Sequence, residues 1–210
     1  MSTIDAAAVA QLVLRERQSR DRGWWSEWAD CFTADSAIDM SWFTGSGADF
    51  VAQTRLRSAD GVWGRHRLSP PAVRINGDRG WAELPLGIEF HTTVGDVEAD
   101  LVSYCRSQYR AQRIDGTWRI ARITSIYERD SPTPCIPGTT LDIDPAEFAR
   151  YRPSYRCLAW YLTSTGWPVA STLLGDDQPE AVARHYQAEN IWLTNAPASS
   201  AASTTITKEQ

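Results

Sequence analysis

The chain has 210 residues, of which 42% are hydrophobic and 22% charged, and its formal net charge is −5. These values are typical of one globular domain with an extension. No basic patch stands out, so we expect no nucleic-acid binding, and no apolar run approaches the roughly 20 residues of a membrane-spanning helix. The N-terminal segment mixes charge into its apolar pattern without a basic region before it. That pattern is untypical of a signal peptide, and we expect a cytoplasmic protein.

Two features of the composition exclude further kinds of chemistry. The chain has one lysine, Lys208, and its other basic residues apart from histidine are arginines. The core therefore offers no lysine for Schiff-base or pyridoxal phosphate chemistry. The four cysteines form no CxxC pair, the three histidines show no metal-ligand spacing, and no glycine-rich phosphate loop is present. We therefore expect neither a metal ion nor any other cofactor.

The first third of the chain predicts three helices and one strand. Apolar residues recur at helical spacing over residues 4–22, and Gly23 is a typical helix end. A short helix is predicted at 24–32, a strand at 37–43 and a third helix at 47–59.

From Arg67 onward the apolar period becomes alternating, which is typical of strands. Short turns separate the alternating segments, so no connection is long enough for a crossover and the strands should form an antiparallel meander. A strongly curved sheet around the N-terminal helices would bury the apolar faces of both. The predicted strands cover residues 68–75, 80–92, 98–113 and 118–129.

Beyond residue 130 the composition changes. Residues 131–138 are rich in proline, helices are predicted at 145–166 and 179–193, and the last residues are small, polar and of low complexity. We expect the helices to form a lid or an oligomer contact. The predicted divisions are a domain at 1–130, a C-terminal helical extension at 131–194 and a disordered tail at 195–210.

Four stretches resemble the SnoaL-like, nuclear-transport-factor-2-like superfamily, in particular its scytalone dehydratase and hexachlorocyclohexane dehydrochlorinase branch. They are RDRGWWSEWADCFTADSAIDMSW, GADFVAQTRL, GRHRLSPPAVRINGDRGWAEL and YRAQRIDGTWRIARI, within residues 5–130. The resemblance implies a cone-shaped α+β barrel, with a curved antiparallel sheet wrapped on the N-terminal helices. It also implies an acid–base pair, a carboxylate late in the first helix and a histidine before the second strand, which falls on Asp21 and His66.

Such a pair suits proton transfer. The free pKa of histidine is close to neutral, and a carboxylate that accepts from one ring nitrogen fixes the tautomer and stabilises the imidazolium. Catalysis of this kind contributes on the order of 10²–10⁴ in rate. Read without the resemblance, His66 also fits a surface histidine between Arg65 and Arg67, and Asp21 a helix-end carboxylate paired with a neighbouring arginine.

Further side chains are candidates for a substrate cavity. They lie on the less charged face of a predicted strand or near a strand end, and each also fits ordinary packing. A donor among them would stabilise an enolate-like oxygen. The candidates are Trp42, Ser103, Cys105, Tyr109 and Tyr127.

Together these features predict a cofactor-independent, dehydratase-like lyase or isomerase acting on a small apolar cyclic molecule. Two alternatives stay open: a natural-product cyclase or rearrangement enzyme of the same fold, and a non-catalytic ligand-binding or dimerisation module. The last predicts an apolar cavity with Asp21 and His66 apart. A homodimer is expected through the outer face of the sheet, near Trp81, His91 and Tyr104.

Overall fold

The computed structural model describes residues 3–59, 61 and 63–195, so the tail predicted from residue 195 lies, except for Asn195, outside the described residues. The helices are α1 (Thr3–Arg22), α2 (Trp25–Ala29), α3 (Gly47–Ala59), α4 (Pro145–Phe148), α5 (Arg156–Ser164) and α6 (Pro179–Thr194). The strands are β1 (Phe32–Met40), β2 (Phe43–Gly45), β3 (Arg65–Leu68), β4 (Ala72–Asn76), β5 (Arg79–Val94), β6 (Val97–Ile114), β7 (Thr117–Pro134) and β8 (Leu174–Gly175).

The strands form one sheet in the order β2-β1-β7-β6-β5-β3, with β4 also paired to β5 and β8 to β7. The antiparallel meander of β5, β6 and β7 is confirmed and runs along almost the full length of the three strands. β1 and β8 instead pair with β7 in parallel, because long connections bring each of them alongside β7 in the same direction. The predicted α+β class, with N-terminal helices packed on the sheet, is confirmed; the parallel pairs of β7 make the sheet mixed, and it does not close into a barrel.

Proline interrupts two predicted elements. The strand predicted at 68–75 is split into β3 and β4, since Pro70 and Pro71 have no N–H to donate to the ladder. The helix predicted at 145–166 is split into α4 and α5 around Pro153, which cannot occupy a helix interior without losing a hydrogen bond.

One face of the sheet and the N-terminal helices share a core. The alternate residues of β5 from Ala82 to Phe90 are all buried, and so are those of β6 from Ala99 to Tyr109. This confirms the inner faces predicted from the alternation. The ring of Trp28 packs 5.1 Å from that of Phe50, which joins α2 to α3.

The C-terminal helices cover both faces of the sheet. α5 packs on the inner side, where Tyr161 lies 5.0 Å from the Phe90 ring. α6 packs on the outer side through an ion pair of Glu189 with Arg110, at 2.8 Å. No helix of the described ranges is long and apolar enough to cross a membrane.

The position of α6 corrects the expected dimer surface. Trp81 is buried to 6% exposure, against Tyr186 of α6 and under the guanidinium of Arg74. It is therefore covered within its own chain and offers no contact to a second copy. His91 and Tyr104 remain on the exposed part of the outer face.

Candidate active site

The end of α1 and the edge strand β3 bring Asp21 and His66 together. Gly23, with φ of +71°, ends α1 two residues after Asp21, and His66 is held in β3 opposite Ile88 of β5. Asp21 Oδ1 lies 2.7 Å from His66 Nδ1, and Asp21 Oδ2 accepts from the backbone N–H of His66, also at 2.7 Å. The carboxylate thus fixes both the strand and the ring.

A neighbouring arginine completes the hydrogen bonding of this pair. Arg20 donates to Asp21 Oδ1 at 3.0 Å and to the backbone carbonyl of Gly64. The side chains of His66 and Asp21 are 4% and 13% exposed, so the pair is screened from bulk water. Its charge–charge interactions are therefore stronger than those of a surface pair.

Burial decides the charge of the imidazole. It is the largest effect on the pKa of His66 and lowers it below the ordinary value; Asp21 opposes this shift, and the charges of Arg20 and Arg17 add to it. Burial alone would raise the pKa of Asp21, but the hydrogen bonds and charge of His66, together with Arg20, hold that pKa well below its usual range. At neutral pH the pair is therefore a carboxylate and a neutral imidazole.

The carboxylate also selects the tautomer. An ionised Asp21 accepts only, so His66 Nδ1 carries the proton and Nε2 keeps its lone pair. Nε2 makes no hydrogen bond with the described part of the chain. His66 lines an interior cavity that Asp21 does not reach. Since Nδ1 is engaged by Asp21, the opposite edge of the ring is the one available to that cavity.

The interior cavity is small and has a positive lining. Its volume is about 30 Å³, enough for roughly one water molecule. Its polar and aromatic lining consists of Arg17, Arg20, Ser41, Trp42, Arg57 and His66. The apolar lining consists of Met40, Phe50, Ile88, Phe90, Leu158 and Leu162, of which the last two belong to α5.

A larger opening lies on the other side of the pair. It is a polar groove of about 590 Å³ between α1 and β3, and both Asp21 and His66 border it. The groove is open to solvent, whereas the cavity is covered by α5 and the aromatic side chains. A neutral base is most effective where water is excluded, so we take the cavity as the candidate active site.

A fully buried ion pair supports the wall of the cavity. Glu16 and Arg17, 0% and 1% exposed, form a two-point ion pair. Glu16 also accepts from Trp28 Nε1 at 2.8 Å and from the Tyr109 hydroxyl at 3.2 Å. Each polar group of this cluster therefore has partners, as a buried ion pair requires.

Of the predicted substrate contacts, Trp42 lines the cavity and the other four do not. Tyr109 donates to Glu16, and the Tyr127 hydroxyl accepts from the backbone N–H of Ser41 at 2.9 Å. Ser103 and Cys105 lie on the inner face, as expected, but are buried in the core. In this arrangement their hydroxyl and thiol groups reach no guest in the cavity, and a role in substrate binding stays a prediction.

The sequence analysis missed Arg57, which is the most informative lining residue. It lies seven positions after Phe50 and three after Thr54 in α3, on the buried stripe of that helix. The helical period places these positions on one face, so an arginine in an otherwise buried stripe was the available signal.

Outside the cavity, one group of possible metal ligands is present on the outer face. His91 Nδ1 lies 2.9 Å from Asp100 Oδ1 and 3.8 Å from the Cys135 sulfur. His91 and Asp100 are 63% and 58% exposed, and Cys135 is also exposed. The outward direction predicted for His91 is confirmed.

Comparison with known proteins agrees with this architecture. N-terminal helices packed on a mixed sheet give the chain an α+β fold. The chain belongs to the SnoaL-like domain family, whose sequence pattern matches residues 1–124.

Among curated proteins, the chain is similar to pea pathogenicity protein 2 of Fusarium vanettenii, with 27% identity over 81% of this chain and 77% of that protein. Among solved structures, it is similar to a hexachlorocyclohexane dehydrochlorinase of type 2, with a TM-score of 0.56 and 12% identity over 67% of this chain and 96% of that one. A Mycobacterium tuberculosis protein of unknown function has a TM-score of 0.52 and 18% identity over 81% of this chain and all of its own length. At these identities the structural likeness establishes the fold and leaves the reaction open.

Proposed function

We propose that this protein is a cofactor-independent, dehydratase-like lyase or isomerase whose base is His66. The observation that carries the proposal is the 2.7 Å contact between Asp21 Oδ1 and His66 Nδ1, with His66 also lining the cavity that α5 covers. This is the arrangement that a directed general base requires. The SnoaL-like family membership supports it, because dehydratases and isomerases share this fold.

The proposed reaction begins with proton abstraction from carbon. Nε2 of His66 takes a proton from a carbon next to a carbonyl group, and the C–H electron pair passes into an enolate. Asp21 stabilises the imidazolium that forms. In an elimination, the enolate expels hydroxide from the next carbon. The imidazolium gives its proton to that leaving hydroxide, which departs as water. In an isomerisation, the same proton returns to a different carbon.

Substrate entry requires the cover of the cavity to move. A cavity of about 30 Å³ cannot hold a ring-sized molecule. Leu158 and Leu162 of α5 line one side of it, and the chain from α5 leads to Trp167, which packs 5.3 Å from the Trp42 ring. We propose that α5 and Trp167 shift outward together to admit the substrate, as lids of enzyme cavities do.

The alternative of a purely non-catalytic module finds less support. It requires an apolar cavity with Asp21 and His66 apart, whereas the two side chains are in contact and three arginines line the cavity. A cyclase of the same fold would use the same pair, and its product would have a rearranged skeleton instead of having lost water.

To test this, the protein is incubated in deuterated water with a panel of cyclic β-hydroxy ketones, and proton exchange and water loss are followed for each. Mass spectrometry reports deuterium uptake next to the carbonyl and loss of water. We expect His66→Gln to reduce both by about 10²–10⁴, and His91→Gln, which removes an exposed histidine of the outer face, to leave them unchanged. Equal rates in wild type and His66→Gln would show that His66 is not the base.

A further inference from the structure

The cavity beside His66 contains one positive charge that its surroundings do not balance. Arg17 is paired with Glu16 and Arg20 with Asp21. Arg57 is 3% exposed and has neither a carboxylate nor a hydrogen-bond acceptor among the described residues, and its Nε is buried without a partner. A buried charged group with an unpartnered N–H is unfavourable, so Arg57 is suited to bind an acceptor from a guest molecule.

Aromatic rings hold the guanidinium of Arg57 in place but do not satisfy it. Its central carbon lies 4.6 Å from the centre of the Trp42 ring and 5.0 Å from that of Trp167. These are cation–π contacts, and they supply no hydrogen-bond acceptor. The N–H donors at the edge of the planar group therefore stay without an acceptor among the described residues. Burial, and next the charge of Arg20, lower the pKa of Arg57 to about 10, so it remains charged at neutral pH.

We propose that Arg57 binds a carboxylate of the guest, so that the protein prefers a small cyclic or aromatic carboxylic acid to a neutral apolar ring. A carboxylate is planar and accepts two parallel hydrogen bonds, which matches the edge of a guanidinium. Among the residues that the structure describes, no acidic side chain lines the cavity to compete for Arg57. This proposal rests on the proposed function for the reaction at His66. The preference for an anion concerns binding alone and can be measured without turnover.

The remaining lining fits the rest of such a molecule. With the carboxylate at Arg57, the ring would lie along Trp42 and Phe50, and Ile88 and Leu162 would close the apolar side. His66 borders the same cavity, so the bound ring would lie beside the proposed base. The carboxylate would thus orient the ring relative to the base.

The test measures binding of three acids and their neutral amides by calorimetry: benzoate against benzamide, 2-naphthoate against 2-naphthamide, and cyclohexanecarboxylate against its amide. Each pair has nearly the same shape, so the affinity ratio reports the charge. We expect wild type to bind at least one acid about tenfold or more tighter than its amide. Arg57→Met should bring that ratio close to one. Arg57→Lys keeps the charge but loses the paired N–H donors of the guanidinium, so it should leave an intermediate ratio.

The control is Arg55→Met, which removes an exposed arginine of the same helix and should preserve the wild-type ratio. His66→Gln should also preserve it, because that residue is proposed to act on the carbon and not on the carboxylate. If His66→Gln retains proton exchange while the acid preference stands, the proposed reaction fails and the anion site survives. The anion site is overturned if wild type shows no preference for any acid over its amide, or if folded Arg57→Met or Arg57→Lys keeps the full ratio.

Discussion

At the scale of single residues, the site depends on opposing effects on one imidazole. Burial and two arginines keep His66 neutral, while Asp21 pulls its pKa upward and orients the ring. A base whose pKa is lowered too far is a weak proton acceptor, so the carboxylate sets both the direction and the strength of the base.

The first prediction concerns Asp21→Asn. The amide keeps the size of the side chain, but it removes the charge that raises the pKa of His66 and offers an N–H that favours the wrong tautomer. We expect the turnover rate to fall by about 10²–10⁴, measured as deuterium uptake by a cyclic ketone. Asp35→Asn, at an exposed position of β1, is the matched control. A loss of less than threefold in Asp21→Asn would show that the carboxylate is not needed.

Arg57 illustrates what sequence can and cannot predict at this scale. The pairing of Asp21 with His66 followed from a family resemblance, since 45 positions separate them and only the fold brings them together. The burial of Arg57, which the sequence analysis missed, could have been inferred from the helical period of α3. Its lack of an acceptor depends on which side chains the rest of the fold places around it. Local spacing carries no information on that.

At the scale of elements, α5 is attached to the sheet by a half-buried carboxylate. Asp130 Oδ2, near the end of β7, accepts from the backbone N–H of Leu158 at 2.8 Å. This N–H lies in the first turn of the helix, where backbone donors have no partner within the helix itself. Asp130 therefore fixes the helix that covers the cavity.

We expect Asp130→Ala to lower the free energy of unfolding by about 0.5–2 kcal/mol, the usual cost of losing a helix cap, and to increase hydrogen exchange in α5. Denaturant unfolding and mass-detected exchange measure the two effects. Asp144→Ala removes a comparable acceptor at α4, where Asp144 accepts from Ala146 N at 2.8 Å, and should leave exchange in α5 unchanged. Unaltered α5 exchange in Asp130→Ala would mean that the carboxylate does not hold the cover.

The elements themselves were largely predictable, because periodicity reflects which face is buried. α1, α3, α6 and the three long strands appear close to their predicted bounds. The parallel pairing of β1 with β7 and the docking of α6 on the outer face were not predictable, since both depend on contacts between distant segments. The division into a domain and an extension at residue 130 stays a prediction, although β7 runs to Pro134.

At the scale of the whole molecule, the buried pair links stability to pH. The pKa of His66 is lowered in the folded state. As pH falls below about 6.5, His66 therefore takes up a proton in the unfolded chain but remains neutral in the folded chain. The contribution of His66 to stability is thus present above that pH and is lost as pH decreases towards the lower folded-state pKa. Asp21, with a lowered pKa, adds stability that is lost only below about 3.8.

We therefore expect the free energy of unfolding to fall by up to about 1.4 kcal/mol per pH unit more steeply in wild type than in His66→Gln below pH ~6.5. Urea unfolding at a series of pH values measures both slopes. Equal slopes for wild type and His66→Gln would mean that His66 takes up a proton as easily in the folded state as in the unfolded chain.

The quaternary structure remains a proposal at this scale. A homodimer would have to use the part of the outer face that α6 leaves open, around Tyr104, which is 36% exposed and carries the Arg129 guanidinium 4.4 Å above its ring. The stretch around Trp81 is occupied by α6 in the same chain.

The proposed chemistry requires that Asp21 holds His66 as a neutral imidazole with its proton on Nδ1 and Nε2 free. Nitrogen NMR of the histidine side chains across a pH titration measures this protonation state, with the His66→Gln spectrum providing the assignment. We expect a neutral ring protonated at Nδ1 at pH 7 and a pKa below the ordinary value of about 6.5. A proton on Nε2 at pH 7, or a pKa at or above 6.5, would contradict it.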